Sequence, residues 1–383
     1  MTSLFTDISS EMILSLLPLF LSALGASRAV IGLIEGVAET TASLLKGVSG
    51  WVSDKLEARK KLVVAGYALS TIIKPFIALA NIWPQVLTVR FVDRIGKGIR
   101  TAPRDALIAD SVPESERGRS FGFQRAMDTF GAVIGTILAS VLLFILGKYT
   151  SMALLTQYRT IFWISIIPGI IAVLIVGFLV KEVKPKKVDE RKTSPSWKTI
   201  DSGFRTFIVI SAIFELSNFS YAIFILRASN LGVVAALIPI IYLLYNLVYS
   251  FLSQPLGILA DRIGKKLVLF GGYLLASLLC LGFAYATDHV HAWILFVIYG
   301  IVSAVTNTTP RALLADIVDP SVRGSAYGFY YMVIGLIALP TSAIAGLLWD
   351  RFGVVTAFSY GAVLAGLAAL LVLVFIRENP RQI

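Results

Sequence analysis

The chain of 383 residues is 57% hydrophobic and only 15% charged. Its mean hydropathy of +0.81 excludes an ordinary soluble domain and indicates an integral membrane protein. The net charge of +11 does not indicate a nucleic-acid partner, because the basic residues lie mostly between apolar runs rather than in a soluble basic patch.

Apolar runs of about 20 residues, long enough for a helix to cross a bilayer, recur along the whole chain. The first run follows no basic segment and precedes no small-residue cleavage site, so we expect it to stay in the membrane as a helix. The runs predict an all-α integral membrane protein with twelve transmembrane helices, at 4–24, 30–53, 62–81, 84–109, 120–146, 158–180, 204–226, 232–260, 267–286, 292–316, 325–348 and 354–376.

The basic residues assign the two sides of the membrane. If both termini are cytoplasmic, 19 Lys and Arg residues fall in predicted cytoplasmic segments and five fall outside. The positive-inside rule therefore predicts a multi-pass protein of the cytoplasmic membrane with both termini in the cytoplasm.

The two halves of the chain repeat one another at a nearly constant offset. The segment GWVSDK at 50–55 returns as GILADR at 257–262, Pro103-Arg104 returns as Pro310-Arg311, and RGRSFGF at 117–123 returns as RGSAYGF at 323–329. Several such matches indicate two structural copies. We therefore predict two six-helix bundles, at 1–180 and 204–383, joined by a polar cytoplasmic linker at 181–203.

The fourth predicted helix carries seven charges between residues 90 and 105. At 100° per residue, all seven share one face about 140° wide. Exposing this face to lipid would cost on the order of 20 kcal/mol, so it must face protein or water. Because buried ion pairs seldom improve stability over apolar residues, the concentration of charge favours a functional role.

Two motifs carry a family resemblance. The pattern G-x-x-x-D-R-x-G-R-K is matched by Gly257, Asp261, Arg262, Gly264, Lys265 and Lys266, and the pattern R-x-x-x-x-x-G-x-G is matched by Arg90, Gly96 and Gly98. The whole chain thus resembles a major facilitator superfamily transporter. Residues 7–12 and 93–111 resemble a prokaryotic, efflux-type branch. Two departures are Glu57, which replaces a loop glycine, and Thr136, which replaces the proline of the antiporter motif.

The loop motifs predict residues that gate the cytoplasmic side. A carboxylate at a helix end can pair with an arginine or accept from a helix N-terminus, and such a latch can open when the two halves rock. The predicted gating residues are Asp54, Lys55, Arg59 and Arg104 in the first half and Asp261, Arg262, Lys265 and Arg311 in the second.

Embedded carboxylates are candidates for proton binding. Asp7 and Glu11 lie one turn apart on the first helix, Glu35 lies on the second helix, and Asp128 lies on the fifth. A low-dielectric cavity favours the neutral form of a carboxyl group, whereas a nearby arginine favours the charged form. Movement of the arginine during a transport cycle could therefore bind or release a proton.

The resemblance implies that helices 1, 4, 7 and 10 line a central cavity. It therefore assigns Arg90, Arg94, Lys97, Glu215 and Asn307 to substrate binding, and Asn218 and Tyr221 are further polar candidates in the second half. For Asn218, a hydrogen bond between helices is an equally good interpretation.

We predict a transporter rather than an enzyme, because no nucleophile and base are paired in the sequence. The predicted activity is secondary active transport of a small drug or metabolite by alternating access, with proton-coupled export. The expected partners are the solute, protons and membrane lipid, and we expect a monomer without a cofactor or bound metal.

Three alternative functions stay open. They are uptake or exchange of an organic anion, divalent-metal transport through Asp7 and Glu11, and a role as a non-transporting receptor or scaffold.

Overall fold

The computed structural model describes residues 1–56, 59–113, 117–180, 182, 202–318 and 323–376. Within these residues all regular secondary structure is helical. The helices are α1 (Thr2–Leu14), α2 (Leu17–Ala23), α3 (Arg28–Leu56), α4 (Arg59–Ile73), α5 (Pro75–Leu79), α6 (Trp83–Ser111), α7 (Arg117–Tyr149), α8 (Leu154–Ile164), α9 (Ile166–Leu174), α10 (Ser202–Glu215), α11 (Tyr221–Asn230), α12 (Ile238–Ile263), α13 (Lys265–Tyr285), α14 (His289–Ile317), α15 (Arg323–Phe352) and α16 (Val354–Phe375).

Nine helices or helix pairs in the described part of the chain are long and apolar enough to cross a membrane. They are α1–α2, α4–α5, α7, α8–α9 and each helix from α12 to α16. The three other predicted segments coincide with α3, α6 and the pair α10–α11. The first two carry embedded charges, and the third is interrupted. The all-helical, multi-span architecture agrees with the prediction, while the number of twelve spans stays a prediction.

Four segments that were predicted as continuous helices are interrupted, which corrects the sequence interpretation. The interruptions follow Leu14, Ile73, Ile164 and Glu215. Pro18 and Pro75 lie at the starts of α2 and α5. Proline lacks the N–H that would continue the hydrogen-bond ladder and is favoured at the first helical turn. In the last case the Ser220 hydroxyl accepts from the Ala222 N–H and caps α11.

The chain forms two compact units. The first contains Met1–Ala26, Val37–Glu190 and Val234–Leu243, and the second contains Ser27–Gly36, Arg191–Val233 and Leu244–Ile383. Two of the boundaries fall inside helices, so that α3 and α12 each contribute residues to both units. The predicted division at residues 181–203 stays a prediction.

Glycines allow α6 to approach its neighbours in the first unit. A Cβ atom on Gly96 would lie 2.6 Å from the Ser70 hydroxyl oxygen of α4, and one on Gly98 would lie 2.5 Å from the Leu45 Cβ of α3. Only residues without a side chain permit these close approaches. The two glycines therefore hold α6 against both α4 and α3.

The second unit has an aromatic core. The centroid of the Phe224 ring lies 4.4 Å from that of the Tyr299 ring and 5.1 Å from that of the Phe283 ring.

Asp288 caps the start of α14. Its Oδ1 accepts hydrogen bonds from the N–H groups of His291 at 3.2 Å and Val290 at 2.8 Å. The hydrogen bond from His291 lowers the pKa of the Asp288 carboxyl below its ordinary value.

Candidate functional site

A cavity inside the first unit collects many of the embedded charges. It lies among α1, the α4–α5 break and α6. Its lining contains five cations, three carboxylates and a few neutral residues. They are Asp7, Ser10, Glu11, Ile13, Leu14, Lys74, Ile77, Arg90, Asp93, Arg94, Lys97 and Arg100.

Helix α1 presents Asp7, Ser10, Glu11 and Leu14 to the cavity because these residues recur every three or four positions on one helical face. The adjoining face, which contains Leu4 and Ile8, packs against α7. A Cβ atom on Gly131 would lie 2.5 Å from the Leu4 carbonyl oxygen. The close fit between α1 and α7 therefore holds the two carboxylates of α1 in place.

Helix α6 presents the charged face that the sequence predicts. Arg90 is only 2% exposed, although arginine is seldom fully buried. The Asp93 carboxylate lies between two of the arginines, since its Oδ2 is 3.7 Å from Arg90 Nη1 and 3.9 Å from Arg94 Nε. Asp93 is therefore the counter-charge for this pair of buried cations.

Lys74 occupies the break between α4 and α5 and is 4% exposed. Its Nζ donates to the Ser9 hydroxyl at 2.8 Å and the Ser10 hydroxyl at 3.1 Å. We did not predict Lys74 as a site residue. The sequence nevertheless contains a signal for it, since Lys74 directly precedes Pro75 inside an apolar run. The proline ends the helix at that point, and a charge inside the membrane needs a polar partner in the protein interior.

Arg100 lies one turn beyond Lys97 on α6 and was also missing from the predicted substrate site. Its Nη1 donates to the Ser70 hydroxyl at 2.8 Å, and its guanidinium lies 4.4 Å from the centre of the Tyr67 ring. Such a cation–π contact stabilises a desolvated guanidinium. Both partners are electrically neutral.

The predicted carboxylates Asp7, Glu11 and Asp128 lie close together. Asp7 interacts electrostatically with Asp128 and Glu11, and with the cations Lys97 and Arg100. A hydrogen bond joins the Glu11 carboxyl to the Tyr242 hydroxyl. Two further carboxyl oxygens, Glu11 Oε2 and Asp128 Oδ1, are buried and accept no hydrogen bond from the described residues.

The remaining predicted site residues do not line this cavity. Glu35 is buried in the part of α3 that belongs to the second unit. In the same unit, Asn218 Nδ2 donates to Glu215 Oε2 at 3.1 Å, and the Tyr221 hydroxyl is buried. Asn307 Nδ2 donates to the Ser303 carbonyl of its own helix at 2.9 Å.

The predicted gating residues have the following contacts. Arg59 Nη1 donates to the Ala106 carbonyl at 3.4 Å, and Arg104 pairs with Asp105 at 2.9 Å. Lys265 pairs with Asp316 and lies 3.9 Å from Asp261. Arg262 is exposed, and Arg311 lies 5.5 Å from the centre of the Tyr331 ring. The side chains of Asp54 and Lys55 lie outside the described residues. A gating role for these residues stays a prediction.

Apolar helices that enclose a strongly charged cavity define an integral, multi-pass membrane transport protein. The family model of the Major Facilitator Superfamily matches residues 1–226 and 205–383. The chain belongs to this superfamily, whose members are transporters and not enzymes.

The relatives agree with this assignment. The chain is 40% identical to an uncharacterised MFS-type transporter of Methanocaldococcus jannaschii, over 97% of this chain and 92% of the relative. It is 27% identical to a probable 4-methylmuconolactone transporter of Cupriavidus pinatubonensis, over 82% of this chain and 69% of the relative. The fold is similar to that of a POT family transporter crystallised with 5-aminolevulinic acid, with a TM-score of 0.79, 11% identity and coverage of 98% and 94% of the two chains.

Proposed function

We propose that this protein is a proton-coupled secondary transporter that moves a small solute across the cytoplasmic membrane by alternating access. The observation that carries the proposal is the arrangement of Asp7 and Glu11, which share one buried cavity with five cations. Carboxylates and cations inside a membrane protein commonly mark proton relays and solute pathways.

The coupling would operate through changes in electrostatic environment. Asp7 faces the carboxylates Glu11 and Asp128 and the cations Lys97 and Arg100. Nearby carboxylates favour proton uptake, whereas nearby cations favour release. If α6 shifts relative to α1 during the cycle, the cations approach or leave Asp7, and the carboxyl group releases or binds its proton. In this proposal Asp7 and Glu11 are proton sites, with Asp128 as a third.

Export is the first candidate for direction, and it rests on the resemblance of residues 7–12 and 93–111 to efflux-type members. In this mode protons and solute would compete for the binding-competent state, so that protons entering the cell drive solute out. The predicted gating residues and the second-unit residues Glu215, Asn218, Tyr221 and Asn307 would complete the cycle as gates and as solute contacts. We propose that the protein does this as a monomer with both termini in the cytoplasm.

Cotransport of an organic anion with protons is a second candidate, and the charge of the lining favours it. Five cations face three carboxylates. Protonation of Asp7 or Glu11 would make the lining more positive and would strengthen anion binding. By linkage, the anion would then strengthen proton binding to the same extent. The relative named for 4-methylmuconolactone, a lactone that carries a carboxyl group, supports this candidate.

The test uses purified protein in liposomes that contain a pH-sensitive dye. Addition of 4-methylmuconolactone, benzoate, succinate or a cationic dye provides the solute gradient, and mass spectrometry measures solute uptake in parallel. We expect solute entry to change the luminal pH. Acidification indicates cotransport, and alkalinisation indicates the exchange that an exporter uses. In the double variant with Asp7→Asn and Glu11→Gln, the change in luminal pH should be smaller by a factor of about ten or more. The reason is that the two carboxamides bind no proton near neutral pH.

Asp288→Asn is the matched control, because it neutralises an exposed carboxyl outside the cavity and asparagine also caps helices well. This variant should keep the pH change. Solute uptake without any change in luminal pH would show that the transporter is not proton-coupled. An unchanged pH response in the double variant would remove Asp7 and Glu11 from the coupling.

A further inference from the structure

The cations of the first-unit cavity differ in how their charge is compensated. Arg90 and Arg94 both lie within 4 Å of the Asp93 carboxylate. In the described residues, Lys74, Lys97 and Arg100 have no carboxylate within that distance. We call these three side chains the Lys74–Lys97–Arg100 cluster.

The hydrogen-bond partners of the cluster in the described residues are neutral, while its electrostatic partners Asp7, Asp93 and Glu39 lie more than 4 Å away. Lys74 donates to two serine hydroxyls, which leaves one of its three N–H donors unused. Arg100 donates to the Ser70 hydroxyl and stacks on the Tyr67 ring. The Lys97 ammonium forms no hydrogen bond or ion pair with the part of the chain that the structure describes. Serine hydroxyls orient these cations without cancelling their charge.

Buried charges are normally compensated, because a desolvated ion without an opposite charge is costly. Here the cluster lines a cavity that also contains Asp7, Glu11 and Asp93, but within the described residues no carboxylate lies within 4 Å of the three cations. A ligand with a carboxylate group would supply a closer counter-charge and would accept hydrogen bonds from the unused N–H groups. Charge-assisted hydrogen bonds to a carboxylate are also stronger than those to a hydroxyl.

We propose that the Lys74–Lys97–Arg100 cluster binds the carboxylate group of a small organic anion. The apolar side chains of Ile13, Leu14 and Ile77, which line the same cavity, would contact the apolar body of that anion. This inference rests on the proposed transport function and names its substrate class. It also shifts the predicted substrate contacts, since the sequence assigned Arg90, Arg94 and Lys97 to substrate binding, and Arg90 and Arg94 already lie within 4 Å of Asp93.

The first arm of the test measures the electrostatic potential of the cavity and needs no known substrate. Cys280 is the single cysteine of the chain and is buried, so Cys280→Ala gives a cysteine-free background. Leu14→Cys then places one thiol in the cavity lining, and Ser151→Cys places one in an exposed loop. Each is labelled with anionic methanethiosulfonate ethylsulfonate and with cationic methanethiosulfonate ethyltrimethylammonium.

We expect the anion-to-cation rate ratio at Leu14→Cys to exceed the ratio at Ser151→Cys by about tenfold or more. Adding Lys97→Gln, which removes no hydrogen bond, should lower the ratio about tenfold. Arg100→Gln should act in the same direction. An equal ratio at the two positions, a ratio unaffected by Lys97→Gln, or a cavity thiol that reacts with neither reagent would overturn the proposal.

The second arm tests the ligand class by protection of the Leu14→Cys thiol. Benzoate, succinate and 4-methylmuconolactone should slow its labelling, whereas uncharged benzamide should not, and Lys97→Gln should weaken the protection. Protection by inorganic phosphate alone, or by none of these compounds, would refute the carboxylate assignment. Neither arm uses a proton gradient, so a failure of proton coupling in liposomes and a failure of anion binding are separate results.

Discussion

Asp93 contacts two of the arginines on the buried face of α6. Its Oδ2 is 3.7 Å from Arg90 and 3.9 Å from Arg94. We expect Asp93→Asn to destabilise the protein by about 3 kcal/mol or more, because removing one member of a buried charged group leaves its partners uncompensated. A denaturant titration of the detergent-solubilised protein, followed by tryptophan fluorescence, measures this change.

Asp105→Asn is a matched control on the same helix. Asp105 pairs with Arg104 at 2.9 Å, but its side chain is 43% exposed. Because solvent screens exposed pairs, the expected loss is below about 1 kcal/mol. Equal destabilisation by the two substitutions would show that Asp93 is not the counter-charge of a buried cluster.

At the scale of elements, the close contact between α1 and α7 positions the carboxylates of the cavity. A Cβ atom on Gly131 would lie 2.5 Å from the Leu4 carbonyl oxygen and 2.9 Å from the Asp7 Cβ. We therefore expect Gly131→Ala to force the two helices apart and to lower stability by about 1–3 kcal/mol. The same denaturant titration measures the loss.

Gly271→Ala is the control for the helix propensity of alanine. No atom lies within 4 Å of a Cβ placed at Gly271, and alanine is favoured over glycine inside a helix. This variant should be neutral or slightly more stable. If Gly131→Ala were equally neutral, the packing of α7 against α1 would not determine the position of Asp7.

The sequence predicts the position of most elements but not their interruptions. Long apolar runs locate the helices because crossing a bilayer requires about 20 apolar residues. The helical period also places the charges of α6 on one face. The break at Lys74, however, depends on Pro75 acting within a run that hydropathy alone describes as continuous. For that reason Lys74, which contacts Ser9 and Ser10 of another helix, was not predicted as part of the site.

The partition of charge in the cavity was not predictable either. Spacing along α6 shows that Arg90, Arg94, Lys97 and Arg100 share a face, but it does not show which of them contact Asp93. That depends on side-chain conformation and on residues from α1 and α4. The sequence therefore indicated a charged site on α6, and the tertiary structure separated two arginines within 4 Å of Asp93 from cations whose hydrogen-bond partners are neutral.

At the scale of the whole molecule, the distribution of basic residues predicts orientation in the membrane. Lys61 is exposed at the start of α4, where the positive-inside rule predicts cytoplasm. Ser151 is exposed between α7 and α8, on the predicted outer side. In the Cys280→Ala background, Lys61→Cys and Ser151→Cys place single thiols on the two sides that the positive-inside rule predicts.

A membrane-impermeant maleimide applied to spheroplasts distinguishes the two sides. We expect it to label Ser151→Cys directly and Lys61→Cys only after the membrane is permeabilised. The physical reason is the strong bias of Lys and Arg toward the predicted cytoplasmic segments, 19 residues against five, which opposes translocation of those segments. The reverse labelling pattern would place both termini outside the cell. It would also reverse the side of the membrane on which the Lys265–Asp316 pair could act as a gate.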